Sequence, residues 1–456
     1  MTFFHALQIN EDICAGCSHC MRVCPTEAIR VRDGKANIYE NRCIDCGECF
    51  KACPNKAIYV KQDDFNLIFN YKCRVALIPS VFLGQFQNDI SVSRIYSILQ
   101  DIGFTHVIET EITTPIYTLA KNNYERENPD KYPLISTFCP AIVRLIQVKF
   151  PGLVDNLIPL KAPIDITAIY IRRKLKKEMG YSDNEIGIFY ITPCAAKIAA
   201  VKSPVGETKS NVDGVINMDS LYNRVYMTIK KQGKDYKEMK LPIAQLSSDS
   251  ILTSLTNGER RLSISRHSLS IDEIQNVIEF LEKVENDEIE GVNFLELRAC
   301  DQSCPGGILT CNNRFLTCER MFARAKYVAD KERNGEMTRQ KEVEEEKTYL
   351  MRNMKVGKIE ARSMMTLDND RLKALEKMKR IAELKKLLPQ IDCGICGAPS
   401  CDALAEDIVC HNAELTDCVF IQRNLEARGN MDHNESLKIM ELIWGSEKIK
   451  NYVKNK

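Results

Sequence analysis

The spacing of apolar and polar positions changes character along the chain. Residues 1–65 read as a duplicated unit: each half has a short strand, a Cys-rich loop closed by Pro, a short helical turn and a second strand, AIRV at 28–31 and AIYV at 57–60. From about 74 to 325, apolar runs alternate with amphipathic stretches. VALIP (75–79), THVIE (105–109), PLIS (133–136), IGIFYIT (186–192) and VNFLEL (292–297) predict buried strands, and IDEIQNVIEFLEKV (271–284) predicts a helix. This is the alternation of an α/β domain. From Arg324 to about Asn353 the chain is strongly charged, as a solvated helix or linker is. A second helix, about 366–388, places Leu372, Leu375, Ile381, Leu384 and Leu388 at three-to-four spacing and stops before Pro389. That stripe is expected to pack on its own protein, with dimerisation through it as the alternative. A compact Cys-rich unit closes the pattern at about 390–425.

Composition narrows the classes. The chain has 456 residues, 44% of them hydrophobic, enough for two or three domains, and a formal net charge of +1. That balance argues against nucleic acid or an acidic membrane surface as partner, and six His and one Trp offer no base-stacking surface. The outlier is cysteine, at 20. MTFFHALQINEDIC lacks the basic region and apolar core of a signal peptide, and no apolar run approaches the roughly 18–20 residues of a membrane span. A cytoplasmic location is therefore expected, where cysteine clusters bind metal more often than they form disulfides.

Two runs have the form C-x-x-C-x-x-C-x-x-x-C-P: CAGCSHCMRVCP (Cys14, Cys17, Cys20, Cys24) and CIDCGECFKACP (Cys43, Cys46, Cys49, Cys53). Thiolates at every third residue wrap three corners of a cubane. In two-cluster ferredoxins the last Cys of each run serves the other cluster. The expected ligand sets are thus Cys14, Cys17, Cys20 and Cys53 for one 4Fe–4S cluster, and Cys43, Cys46, Cys49 and Cys24 for the second. Zinc and disulfides are the competing readings, and two intact copies argue against both.

Three further segments put cysteines where a predicted strand ends. Cys139 follows PLIS in STFCPAIVRLI, Cys194 follows IGIFYIT in TPCAAKIAAV, and Cys300 and Cys304 follow VNFLEL in ELRACDQSCPGGI. Strand ends are where α/β sheets build their sites, and four thiolates converging there would hold another cubane. These segments resemble the motifs TSCCP, MPCxxKxxE and ExMACxxGCxxGG of iron-only (FeFe) hydrogenases, over roughly residues 1–325. The resemblance implies an H-cluster: a 4Fe–4S cubane on Cys139, Cys194, Cys300 and Cys304, with Cys304 bridging to a di-iron unit that carries CO, cyanide and a bridging dithiolate amine. It also places Lys197 as the donor to a cyanide, and Glu296 at the start of the third motif.

Departures from the motifs bear on function. Phe138 stands where active hydrogenases have the Cys that passes protons to the amine, and a phenyl ring cannot carry one. Thr192 and Arg298 replace motif Met residues and are expected to make the pocket more polar; Ala200 replaces the Glu of the second motif. The acidic pair of the outer proton path is absent from TTPIYTLAK (113–121), leaving Glu109, Glu111 and Glu296 as unranked candidates. These changes resemble the sensory branch of the family. Cys311 and Cys318 read as helix-packing residues, and Cys73 as structural.

DCGICGAPSCDALAEDIVCHNAELTDC resembles a small 4Fe–4S domain of corrinoid-linked and membrane redox proteins, with ligands Cys393, Cys396, Cys401 and Cys418 and with Cys410 a bystander. Zinc is the alternative there. The whole chain is expected to be an α/β catalytic-type domain (73–325), preceded by an α+β ferredoxin-like module (1–72). A charged helical linker (326–389), a small 4Fe–4S domain (390–425) and a helical tail (426–456) follow. The expected function is that of a divergent, slow or sensory hydrogenase coupling hydrogen and protons to its clusters. Its partners would be a ferredoxin or a signalling protein, and the C-terminal cluster would be the outlet. The alternative is a non-catalytic electron-transfer or redox-signalling protein with a hydrogenase-like shell.

Overall fold

A computed structural model describes residues 3–232, 246–334, 341–362, 364, 367–368 and 370–449. The N-terminal module is built on two antiparallel pairs. β1 (Leu7–Ile9) pairs with β4 (Ile58–Val60), and β2 (Ile29–Arg32) with β3 (Lys35–Ile38). Asp33 and Gly34 both take positive φ (50° and 70°), the geometry a two-residue hairpin turn needs to match strand twist.

The central part is a mixed α/β fold with parallel sheets. Its main sheet has the order β6 (His106–Glu109), β5 (Cys73–Ile78), β8 (Ile186–Thr192), β9 (Gly214–Asn217), all parallel. β8 is buried along its whole length, as a strand covered on both faces must be. A second parallel sheet has the order β10 (Ser268–Ile271), β11 (Phe294–Leu297), β7 (Leu134–Ile135). The helix expected from 271 begins at Ile274, because Ile271 pairs with Leu297 as the end of β10. Among the described residues, no helix is long and apolar enough to cross a membrane.

Two features of the C-terminal third differ from expectation. The charged linker is anchored rather than solvated throughout. Glu346 takes ion pairs from Arg173 (2.6 Å) and Lys177, Arg173 stacks on Tyr349, and Leu350 and Met354 are buried. Residues 335–340 of this linker lie outside the described residues. The second helix spans Arg371–Leu387, capped by Asp370; positions 366 and 369 of the expected span, and 450–456 of the expected tail, also lie outside the described residues. Only the C-terminal half of its stripe is used: Leu384 and Leu388 are buried, whereas Leu372 and Leu375 are 72% and 54% exposed.

The last Cys-rich unit docks on the N-terminal module. Val31 N–H donates to the Gly397 carbonyl (2.8 Å), and Arg32 Nη1 donates to the Cys396 carbonyl (2.9 Å). Arg30 Nε donates to Asp407 Oδ2 (2.6 Å), where both side chains are almost fully buried. The helix His433–Trp444 closes over the hairpin: Asp33 and Gly34 N–H groups donate to the Leu442 and Ile443 carbonyls. Gly397 has φ +75°, and a Cβ there would lie 2.2 Å from the Val31 carbonyl oxygen, so this approach requires glycine.

Candidate cluster sites and an adjoining cavity

In the N-terminal module Cys14, Cys17 and Cys53 lie near Cys20, and Cys24 lies near Cys43, Cys46 and Cys49. Burial, then Cys17, Cys14 and Cys53, push the Cys20 thiol up to about 12. Burial and then Cys24 push Cys46 up to about 12 as well. A cavity of about 310 Å³ is lined by Cys24, Cys43, Cys46 and Cys49 together with Leu7, Ile29 and Ile38. The two halves also repeat their hydrogen bonding. Ala28 N–H donates to Cys24 Sγ (3.1 Å) and Ala57 N–H to Cys53 Sγ (3.3 Å), each four residues on.

The three central segments converge. Cys139 precedes the helix Pro140–Lys149, and Cys194 precedes the helix Ala195–Lys202; each is the residue capping a helix N-terminus, where the backbone dipole favours a thiolate. Cys300 and Cys304 follow β11, with Cys304 opening a single 3₁₀ turn. Burial, partly opposed by Lys197, pushes Cys194 up to about 12, with Cys304 and Cys139 adding to the rise. Cys300 goes up through burial and then Cys194, with Cys139 and Cys304 contributing. Buried thiols that raise one another cannot all be thiolates without a compensating cation, and a coordinated metal supplies that charge and deprotonates them. In the C-terminal unit, burial and then Cys418 and Cys393 push Cys396 up to about 11, against an opposing backbone hydrogen bond. Burial also raises Cys418, with Cys401 and Cys393 adding to the rise.

Contacts between the groups give them an order. Burial opposes the Lys51 charge, but Cys300, Glu48 and Cys46 outweigh it, so Lys51 stands between the second N-terminal group and the central one. Ile308 fills the space beside Gly47, where a Cβ would lie 2.6 Å from its side chain. On the opposite side, a Cβ at Gly394 would meet the Met21 methyl at 3.0 Å, which brings the C-terminal unit against the residue following Cys20.

Beside Cys304 lies a small cavity walled by Lys197, Glu111, Phe138, Tyr190, Thr114 and Ser254 among others. Lys197 Nζ donates to Cys304 Sγ at 3.4 Å. Burial works against the Lys197 charge, but Cys304, Tyr190, Cys194 and Cys139 outweigh it and its pKa rises, so it stays an ammonium. Thr114 Oγ1 and Ser254 Oγ are buried at this wall without a hydrogen-bond partner among the described residues. Such orphaned donors beside a buried ammonium fit an anionic, acceptor-rich group, as cyanide and carbonyl ligands on iron are.

Phe138 forms one wall, with Lys197 Nζ 5.1 Å and Arg298 Cζ 3.8 Å from its ring centre. The expected polarity from Thr192 and Arg298 is not found at the cavity. Thr192 Oγ1 is used locally, accepting from Cys194 N–H (3.3 Å) and donating to the Cys194 carbonyl (2.9 Å). Arg298 lies behind Phe138, paired with Glu259 (2.9 Å) and Glu296 (3.4 Å). The polar groups that do reach the cavity include Thr114 and Ser254, which the motifs do not mark. Glu259, also unmarked, accepts from Tyr117 (3.0 Å) and Ser136 (2.6 Å).

The three candidate carboxyls separate. Glu109 is buried and held at two points by Arg324 (2.7 and 2.6 Å). Glu296 accepts from the Glu259 and Arg260 N–H groups on the far side of Phe138. Glu111 lines the cavity. Of the remaining cysteines, Cys318 is buried on the helix Arg314–Arg333, Cys73 is buried in β5, and Cys410 ends the helix Cys401–Val409. Cys311 is not helix-packed as expected: it is exposed and precedes the helix.

Residues 72–256 match the family described as iron only hydrogenase large subunit, C-terminal domain. Residues 6–54 match a 4Fe-4S dicluster domain, and residues 388–420 match an Fe-S cluster family. The chain is 28% identical over 273 residues to the periplasmic Fe hydrogenase large subunit of Nitratidesulfovibrio vulgaris, covering 56% of this chain and 63% of that one. It is 25% identical over 182 residues to iron hydrogenase 1 of Clostridium pasteurianum, covering 38% and 30%. It thus spans under two thirds of the length of either relative. Among solved structures, a variant of the FeFe-hydrogenase HydA1 of Chlamydomonas reinhardtii superposes with a TM-score of 0.46 at 13% identity, covering 63% of this chain and 94% of that one. Residues 72–256 thus carry a domain similar to that of the iron-only (FeFe) hydrogenases, between a 4Fe-4S dicluster match and an Fe-S cluster match, and the findings together support a divergent relation to that family.

Proposed function

We propose that the protein is a slow or sensory hydrogenase that interconverts hydrogen with protons and electrons at an H-cluster and passes the electrons along 4Fe–4S clusters. The observation that carries the reading is the cavity in which a buried ammonium, Lys197, meets Cys304 and two unpartnered hydroxyls. Cys139, Cys194, Cys300 and Cys304 would hold the cubane, and Cys304 would bridge to the di-iron unit. When bound, that unit supplies the redox chemistry of hydrogen. Lys197 holds its negative ligands, Thr114 and Ser254 offer O–H donors, and Phe138 and Tyr190 keep water from the wall.

Electrons would pass from the central group to Cys24, Cys43, Cys46 and Cys49, then to Cys14, Cys17, Cys20 and Cys53, then to Cys393, Cys396, Cys401 and Cys418. A ferredoxin or signalling protein would exchange electrons at the far end. The exposed Leu372 and Leu375 leave a face for a homodimer. Infrared spectroscopy on the matured protein tests the reading: CO and cyanide stretching bands are expected, and their absence refutes it. One observation favours a second reading, a non-catalytic electron-transfer protein. Phe138, with Lys197 and Arg298 both against its ring, closes the wall where the family's proton carrier stands. That reading predicts about sixteen iron atoms, four cubanes' worth, and no such bands.

A further inference from the structure

Under the hydrogenase reading, on which this inference rests, protons must enter a cavity whose usual carrier is replaced by a phenyl ring. Among the described residues that line the cavity, Glu111 is the sole carboxyl group. The 3₁₀ turn Thr110–Thr113, directly after β6, sets it there. The Ser80 N–H lies 3.0 Å from both of its oxygens and fixes the plane of the carboxyl. Two residues back, Glu109 is held by Arg324, by Tyr96 (3.2 Å) and by Ser80 Oγ (3.0 Å).

We propose that Glu111 is the catalytic proton carrier of the cavity. For hydrogen formation its O–H bond breaks, the electron pair stays on oxygen, and the proton enters the cavity. Two such protons combine with two electrons, which an external reductant such as reduced viologen supplies through the clusters. For hydrogen oxidation the carboxylate takes up the two released protons one at a time, giving the first up to water before it accepts the second, and the two electrons leave by the same clusters to an external oxidant such as oxidised viologen. The surroundings suit both directions. Burial and then the Glu109 charge push Glu111 up to about 7, with Ser80 N–H and Lys197 acting the other way. A carboxyl near neutrality both gives and accepts a proton at working pH. When it is ionised, the Lys197 ammonium across the cavity balances the new charge.

The alternative carriers are less well placed. Glu259 and Glu296 lie behind Phe138 and are engaged by Arg298, and Glu109 is engaged by Arg324. The test uses the matured full-length protein in four forms: wild type, Glu111→Gln, Glu111→Asp and Glu259→Gln. Infrared CO and cyanide bands report whether the di-iron unit is loaded, and hydrogen–deuterium exchange between D₂ and water reports proton transfer. Glu111→Gln is expected to keep the bands, to lose exchange by roughly a hundredfold and to lose the carboxyl C=O signal in pH-difference infrared spectra. Glu111→Asp restores part of the exchange and the C=O signal. Wild-type exchange in Glu111→Gln, or a loss confined to Glu259→Gln, overturns the proposal. Absence of the bands from the wild type removes the hydrogenase reading itself, and Glu111's role with it.

Discussion

Replacing Asp407 by Ala should release the C-terminal cluster unit from the N-terminal module. Asp407 Oδ2 accepts from Arg30 Nε at 2.6 Å and from Arg32 Nη2 at 3.2 Å; the Arg30 and Asp407 side chains are 1% and 3% exposed. Truncation would leave Arg30 charged, buried and without its counter-ion, a change that costs about 3–5 kcal/mol. What remains at the interface includes the Val31–Gly397 and Arg32–Cys396 hydrogen bonds, together worth about 1–3 kcal/mol net. The loss therefore exceeds what these bonds retain, and opening of the interface should rise by about a hundredfold or more. Amide hydrogen exchange reads this directly, because the Val31, Asp33 and Gly34 N–H groups donate across the interface. All three should lose protection together, while the amides of β8 keep theirs. The double variant Arg30→Met, Asp407→Leu should lie closer to wild type than Asp407→Ala, since an apolar pair needs no counter-ion. Unchanged protection at the three amides in Asp407→Ala would refute the reasoning.

Other perturbations address the cavity and the glycine contact. Phe138→Cys removes a buried ring in contact with two cations, so thermal melting should show a cost of up to about 3 kcal/mol. The same variant should raise hydrogen production in the matured protein; no change would favour the non-catalytic reading. Lys197→Met takes the ammonium from Cys304, and the CO and cyanide bands should weaken while the cubane iron is retained. Because the folded state raises Glu111 to about 7 from a reference of 4.5, its contribution to stability is full at low pH and is lost as pH rises through 7. Urea unfolding across that range should show the decline, and Glu111→Gln should flatten it. Gly397→Ala meets both a positive φ and the Val31 carbonyl, so it should expose the same three amides as Asp407→Ala.

The sequence makes some elements legible and hides others for physical reasons. β5, β8 and β11 stand out because strands buried on both faces are largely continuous apolar runs. β10, Ser-Leu-Ser-Ile, sits at the edge of its sheet with one leucine exposed and carries no such run, so its last residue reads as part of the following helix. The stripe on Arg371–Leu387 is visible, but its length overstates what packs, because the neighbouring helix Cys401–Val409 reaches only one end. At the site, cysteines are readable from spacing because they are rare and their ligand geometry constrains it. Thr114 and Ser254 are not, because a Ser or Thr becomes distinctive only when its hydroxyl is left buried and unpaired. Arg298 shows the same limit from the other side. Its position in the motif is plain, but only its pairing with Glu259 and Glu296 places it behind Phe138.

The docking changes what the terminal cluster unit can be. A unit joined by a free linker would carry electrons to a partner by swinging between two surfaces. Here it is held by a buried ion pair between residues 377 apart in sequence and by backbone bonds to the hairpin. A fixed position suits a wire, because electron transfer between clusters depends on their separation rather than on encounter. The contacts set the cysteine groups in one spatial order. Lys51 and Ile308 tie the second N-terminal group to Cys300. Cys20 and Cys49 lie close enough to act on each other, and Met21 abuts Gly394. The outer two junctions involve residues flanking the cysteines, whereas Cys20 and Cys49 themselves make the middle one. Substitutions at Met21, Lys51 or Ile308 should therefore alter transfer between neighbouring groups while leaving the iron content of each intact.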